Sequence, residues 1–515
     1  MRVLDAWSRN RVWSLFAVSS ASAICLALFG TSCTKDATVQ STTYFDRTIQ
    51  PILTHSCSRQ TTGCHVADPR GNAVGNLDTT SFELFDRRHD LLVTYGPYSA
   101  PGLLTKVGGP QTLTVSTLAG PIEITTDIRH AAGAGIDVTS EGYATLRRWM
   151  DGGATKDNVG ATSGTHLVPT GDCMKTIPSD PGFAGYDPGA TYDQFVSKVQ
   201  PVLKKCSAGS CHGNLVADLS LTCGTDAEQL KWNHYIASQF LSGSPEASEL
   251  LRRPLDPARG GVFHEGGIVF NDSDEADYKQ LLAWAKERGS ATVDPAAPDA
   301  AGFAYFANRV QPMMVRKGCM FLGCHSPQMF HDLRLRGGSG GQFSLVATRR
   351  NYAMSKLMLA VESPDPSVSR LIAKNLFPFD REIDPKGLGM RHRGGALLED
   401  TVGSERATQA DCDKLKTAGI DIDTADLSTL PAYCVFAAWH AKEREAAFAK
   451  GSGAGGIDKE PLAGIVYVER PPNTDLPQAF DTYRPGAVLH VHAATLGATG
   501  TVTMGADKDV TSGCG

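Results

Sequence analysis

The chain has 515 residues, 41% hydrophobic and 20% charged, with a formal net charge of −6. That length exceeds one ordinary domain, and the apolar content supports real cores, which excludes wholesale disorder. The mild acidity, without any run of like charge, leaves no basic face for nucleic acid, and 53 glycines with 28 prolines point to loop-rich units.

Arg2, Arg9 and Arg11 open the chain, followed by an uncharged, largely apolar run from Trp13 to Gly30 and then Gly30-Thr31-Ser32-Cys33. This order reads as an export signal over 1–33 rather than as structure. The small residues before Cys33 resemble the lipobox of bacterial lipoproteins, in which Cys33 would be lipidated and become the mature N-terminus. Gly30 stands where a lipobox usually carries Leu. Thr34, in place of the Asp associated with inner-membrane retention, implies an outer-membrane lipoprotein by the same resemblance. An uncleaved anchor or simple secretion are the alternatives. Each reading puts the body of the protein outside the cytoplasm, in the cell envelope, and the lipid anchor would make the membrane a partner.

Beyond the signal, one pattern occurs three times. Each copy opens with Phe-x-x-x-Ile/Val-Gln-Pro, at Phe45–Pro51, Phe195–Pro201 and Phe306–Pro312. Phe and the branched residue four places on share one helix face, and the proline is expected to break or kink that helix. Soon after come Cys57/Cys64-His65, Cys206/Cys211-His212 and Cys319/Cys324-His325. Two thiols can form thioethers to haem vinyl groups, and the adjoining His can supply an axial iron ligand. The same residue types could bind zinc tetrahedrally, or the cysteines could form disulfides beside incidental histidines.

Later in each copy stands His-x-Ala/Gly-Gly: His130 to Gly133, His264 to Gly267 and His392 to Gly395. Ser99 with Leu103-Leu104, Ser248 with Leu250-Leu251 and Ser369 with Leu371 precede it. Glycines beside a His let backbone approach a flat macrocycle, so these histidines are the candidate distal ligands; a surface turn is the plain alternative. Methionine competes for that role, but none occurs between Met174 and Met313, so a uniform architecture requires His. A rival row, His89 and His234, meets Tyr352 in the third copy and drops out. Each copy closes with Tyr-x-x-Leu/Phe-x-x-Trp, at Tyr143/Leu146/Trp149, Tyr278/Leu281/Trp284 and Tyr433/Phe436/Trp439. This spacing predicts a terminal helix packed on the core, with the Trp against the haem as the alternative. An insertion between His392 and Tyr433 carries Cys412.

In an oxidising compartment, nearness along the chain makes Cys412 with Cys434 and Cys173 with Cys223 candidate disulfides; the connectivity stays open. Cys25 lies in the signal, and Cys514 is left odd, hinting at a missing partner. Linkers are expected near 155–190, 289–302 and 446–459. Beyond them 464–468, 487–492 and 500–503 read as strands, too few for a stable sheet alone. His490 and His492 alternate onto one strand face there, where they could bind a metal but stand most simply as a surface pair.

Over roughly 44–445, the order of these motifs, with Trp149-Met150-Asp151-Gly152-Gly153-Ala154 after the first closing helix, resembles the cytochrome c-like domains of planctomycete and myxobacterial secreted proteins. The resemblance implies that His65, His212 and His325 are proximal ligands and that the paired cysteines attach haem. Those proteins standardly attach haem through Cys-x-x-Cys-His; here the linkers are longer, and the one between Cys57 and Cys64 departs furthest. The tail weakly resembles the opening strands of a propeller-type domain, as a truncated or split domain would.

The expectation is a mainly α protein: a signal over 1–33, serial cytochrome c-like units over 34–170, 171–290 and 291–450, and a flexible, β-rich tail over 451–515. Three covalent haems with bis-His ligation would pass electrons to redox partners in the cell envelope, at lower potentials than His/Met ligation gives. A non-redox binding protein with zinc or disulfides at these sites is one alternative. The other is an oxidoreductase subunit in which one haem keeps an open position.

Overall fold

The computed structural model describes residues 43–58, 64–128, 130, 133–157, 168–290, 300–329, 331–376, 392, 394–400, 407–450, 464–469, 490–496 and 502–509. The export segment with Cys33, and Cys514, lie outside the described residues. The structure is mostly helical, and among the described residues no helix is long and apolar enough to cross a membrane.

Each copy of the repeat begins with the same irregular helix. A π-helical turn (Phe45–Ile49, Phe195–Val199, Phe306–Val310) runs directly into an α-helix (Gln50–Ser56, Gln200–Lys204, Gln311–Arg316). Pro51, Pro201 and Pro312 lack an N–H, and their rings would press on the carbonyl four residues back. The helix responds by widening. The amides of Gln50, Gln200 and Gln311 donate five residues back, to the carbonyls of Phe45, Phe195 and Phe306. The proline therefore does not break the helix, as its type suggested; one turn of the wider ladder carries the helix through it.

The phenylalanine of that turn is buried against the tryptophan of the closing helix. Ring centres are 5.6 Å apart for Phe45–Trp149, 5.3 Å for Phe195–Trp284 and 5.2 Å for Phe306–Trp439. The closing helices are Glu141–Asp151, Ala276–Arg288 and Ala432–Lys450, and all three tryptophans are fully buried core residues. Between opening and closing helices lies a core helix, Phe82–Phe85, Ala227–Gln239 or Leu345–Lys356, whose N-terminus is capped by the side chain of Ser81, Asp226 or Ser344.

The repeats do not stand apart. A hairpin of the first, Thr112–Thr117 paired antiparallel with Gly120–Thr125, places Leu113, Val115 and Ile124 in the same core as Met313, Phe343 and Trp439 of the third. Tyr98 of the first stacks on Phe321 of the third at 4.4 Å and donates to Val315 O. Lys317, almost fully buried, bridges Asp127 of the first repeat at 2.5 Å and Asp400 at 2.7 Å. All three repeats meet at Arg253. It is held by Glu249 at 2.8 Å, lies over the Tyr95 ring of the first repeat, and donates to Gly338 O of the third. Burial opposes its charge, but Glu249 and Tyr95 hold its pKa above the ordinary range.

Cys173 is bonded to Cys223 and Cys412 to Cys434. The first bond fastens part of the run expected as a linker. There Thr170 N donates to Ser210 Oγ and Ser210 N returns the bond to Thr170 O, so this stretch packs on the Cys206–Cys211 loop. In the tail, Gly464–Glu469, His490–Leu496 and Val502–Asp509 form a three-stranded antiparallel sheet.

Candidate metal-ligand pairs

The first cysteine of each motif follows the end of the opening helix, its amide bonded back to Leu53 O, Leu203 O or Met314 O. In the first two repeats the loop to the histidine closes on itself. His65 N donates to Cys57 O at 3.2 Å and His212 N to Cys206 O at 3.1 Å. The longer first linker thus reaches the same closure as the shorter second one. Cys57, Cys206, Cys211 and Cys319 are thiols rather than disulfide sulfurs. Burial pushes the Cys57 and Cys206 thiols up to about 11 and Cys319 up to about 12, and the second cysteine of each motif, Cys64, Cys211 or Cys324, is close enough to add to the shift.

After the histidine the chain folds back over the ring. The His65, His212 and His325 carbonyls accept from the amides of Thr79, Leu221 and Leu335. The same returning segment faces Nδ1: His65 donates to Val74 O at 3.0 Å, with Leu77 O also acting on it, and His325 to Leu333 O at 2.8 Å. For His212 the Leu219 backbone favours the charged ring, while Nδ1 has no partner in strict hydrogen-bond geometry. Burial lowers the His65 pKa and pulls His212 and His325 down to about 4, so these rings are neutral near pH 7.

The His-x-Ala/Gly-Gly motif is a tight turn with a specific job. The amides of Gly133, Gly267 and Gly395 donate to the carbonyls of His130, His264 and His392, all at 2.9 Å. Each glycine carbonyl then accepts from Nδ1 of the same histidine, at 2.9, 2.9 and 3.0 Å. The last glycine is needed because its φ is positive, +79°, +75° and +86° in the three turns. A side chain on Gly266 or Gly394 would also crowd the ring of its own His264 or His392. The glycines therefore serve the histidine itself, a more local reason than the approach to a macrocycle expected from sequence.

The structure brings each early histidine opposite its late partner. His65 and His130 have ring centres 5.9 Å apart with planes 25° apart; His212 and His264 are 6.1 Å and 5°; His325 and His392 are 5.8 Å and 8°. Two imidazoles that bind one metal from opposite sides keep ring centres about 6 Å apart, given metal–nitrogen bonds of about 2 Å and the size of the rings. A carbonyl can only accept, so a neutral ring bonded to it through Nδ1 carries its lone pair on Nε2, the tautomer that binds a metal.

The rival histidines lie elsewhere. His234 is buried in the second core, with Nδ1 2.7 Å from Tyr186 Oη and Nε2 3.3 Å from Thr191 Oγ1. Tyr352 donates to the buried Glu443, and half-exposed His89 pairs with Asp86.

Residues that the motif reading passed over hold the returning segment in place. Gln50 Nε2 donates to Thr79 O at 2.9 Å. In the other repeats an asparagine mediates: Asn233 joins Gln200 Oε1 to the backbone of Thr222, and Asn351 joins Gln311 Oε1 to the backbone of Arg336. The glutamine of Gln-Pro is thus a strut for the proximal loop. The signals were present in the sequence, as Asn233-His234 beside Asn351-Tyr352, and as Leu77-x-Thr79, Leu219-x-Leu221 and Leu333-x-Leu335.

Compared with protein-family models, curated proteins and solved structures, the chain matches none.

Proposed function

We propose that the chain is an exported trihaem c-type cytochrome, built of three cytochrome c-like units, that carries electrons in the cell envelope. The observation behind this reading is the threefold recurrence of two near-parallel imidazoles about 6 Å apart, one following a pair of cysteines, with Nδ1 bonded to a backbone carbonyl in every ring but His212. Haem held between two imidazoles supplies a one-electron ferric/ferrous couple with no open coordination position. His65, His212 and His325 would be the proximal ligands, His130, His264 and His392 the distal ones. Cys57, Cys64, Cys206, Cys211, Cys319 and Cys324 would attach the three groups. Among the described residues no three His, Cys, Asp or Glu side chains gather to hold a metal ion. A metal between these rings would therefore bring its other ligands with it, which favours a porphyrin over zinc.

The chain's own contribution is positional. The carbonyls of Val74, Gly133, Gly267, Leu333 and Gly395 fix ring tautomer and direction, and the glutamine struts keep the proximal loops from drifting. Cys33, if lipidated, would anchor the protein at the outer membrane, facing redox partners of the periplasm.

The test is the reduced pyridine haemochrome of protein matured in a haem-attaching periplasm, with its intact mass. Three haems adding about 0.6 kDa each are expected. Two would single out the Cys57–Cys64 site. Zinc or disulfides without haem would replace this reading with the non-redox one. The wider tilt at the first pair makes it the place to look for an open position, which carbon monoxide binding to the reduced protein would report.

A further inference from the structure

One ion pair spans the first and third sites. Arg88 Nη1 donates to Gly75 O at 2.7 Å, and Gly75 lies against His65, since a Cβ on it would stand 4.0 Å from His65 Cε1. The neighbouring carbonyl, Val74 O, is the one that holds His65 Nδ1. The same guanidinium grips Asp90 in a fork, Nε to Oδ1 and Nη2 to Oδ2, both at 2.8 Å. Asp90 in turn sits on the third repeat. Its carboxylate occupies the place where a Cβ on Gly323, immediately before Cys324 and His325, would fall, so a side chain there would have to displace Asp90. Cys324 also lies near Arg88. The Tyr98–Phe321 stack flanks this contact on the loop between Cys319 and Cys324.

We propose that the Arg88–Asp90 pair is a positioning and coupling link between the first and third haem sites, so that charge at either is felt at the other although the second site separates them in the chain. The inference rests on the haem reading above. The pair is a fixed dipole, with its cationic end toward His65 and its anionic end toward His325. It is fork-bound and largely shielded, each side chain about a quarter exposed, so water does not screen it as it screens a surface pair.

The experiment is a spectroscopic potentiometric titration of the full protein and its Asp90→Asn and Arg88→Gln variants, with the three waves assigned through the distal-histidine variants. Removing the carboxylate leaves Arg88 uncompensated, so the first and third waves should both move to higher potential while the second stays. Arg88→Gln should move the same two waves down. A shift confined to one wave, or none, overturns the link, and so does an equal shift of all three. A protein without haem fails the functional reading as well, whereas a fully loaded protein with unmoved waves fails this inference alone. Gly323→Ala provides a second readout. Amide hydrogen exchange across Cys324–Leu335 should quicken as Asp90 is displaced, and unchanged exchange there also overturns the link.

Discussion

The imidazoles of His212 and His264 lie parallel to within 5°, with ring centres 6.1 Å apart, although a whole core helix separates them in the chain. His264 belongs to no helix or strand; it is aimed by a turn whose only requirements are a positive-φ glycine and a carbonyl facing back. This makes its role simple to test. On the proposed haem reading, His264→Ala should retain haem through Cys206, Cys211 and His212 while converting one of three centres from low to high spin. An absorption and EPR spectrum identical to the parent's would remove His264 from the ligand set.

The turn predicts a second effect, at Gly267. Placing alanine at its φ of +75° costs about 1–2 kcal/mol of local strain and turns the accepting carbonyl away from His264 Nδ1. The expected outcome resembles loss of an outer-shell ligand partner, roughly 10–100-fold weaker metal retention. It would be read as faster haem-iron spin conversion under mild denaturant at the second centre only. Gly213→Ala would not serve as a control, because a side chain there meets the backbone of Ser207 and Ala208.

Lys317 carries its charge at 2% side-chain exposure between Asp127 and Asp400. Replacing it with methionine keeps the stem and removes the ammonium that the two carboxylates share, while Arg316 stays 3.5 Å from Asp400. Breaking such a buried arrangement costs about 3–5 kcal/mol. The loss should appear as a lower midpoint in chemical denaturation. Because the bridge joins the first repeat to the third, a drop of under 1 kcal/mol (well below that range) would show that the interface does not depend on it.

The buried His234 gives the second repeat a pH signature. Burial, with a smaller contribution from Arg288, holds its pKa at about 4 in the folded protein, below the ordinary 6.5. Above pH 6.5 the ring is neutral in both folded and unfolded chains, and its contribution is fully present. As pH falls from 6.5 toward about 4, the unfolded chain takes up a proton that the folded one refuses, so stability declines by on the order of 3 kcal/mol in total. Denaturation midpoints of the parent should fall over this window more steeply than those of His234→Gln. Equal slopes would mean that the ring accepts its proton in the folded state.

Much of each site was legible because its causes are short-range. The Phe-to-Pro spacing carried both the face that meets Trp149, Trp284 or Trp439 and the proline that widens the helix. Of the two outcomes that proline allowed, a break does not occur, because a π turn lets the ladder expand around it. The His-x-x-Gly pattern was visible too, while its reason, an Nδ1 acceptor held by a positive φ, emerges only from dihedral angles. Asn233 and Asn351 recur at matching places in the sequence, but their type hid their role. A polar residue on a helix usually faces water, and nothing local says that these two are fully buried beside a glutamine.

The sequence by itself determined the repeat, the histidine turns, the opening and closing helices and the strands of the tail. All of these are settled by steric and hydrogen-bond rules acting within a few residues. Tertiary structure alone decided that the hairpin at Thr112–Thr125 completes the core of the third repeat, that Arg253 sits where three repeats converge, and that Asp90 rests on Gly323. Burial of apolar surface is non-directional. A period-two run such as Leu113-Thr114-Val115 therefore declares that it needs cover without naming the surface that will provide it, and that choice falls to the packing of the whole chain.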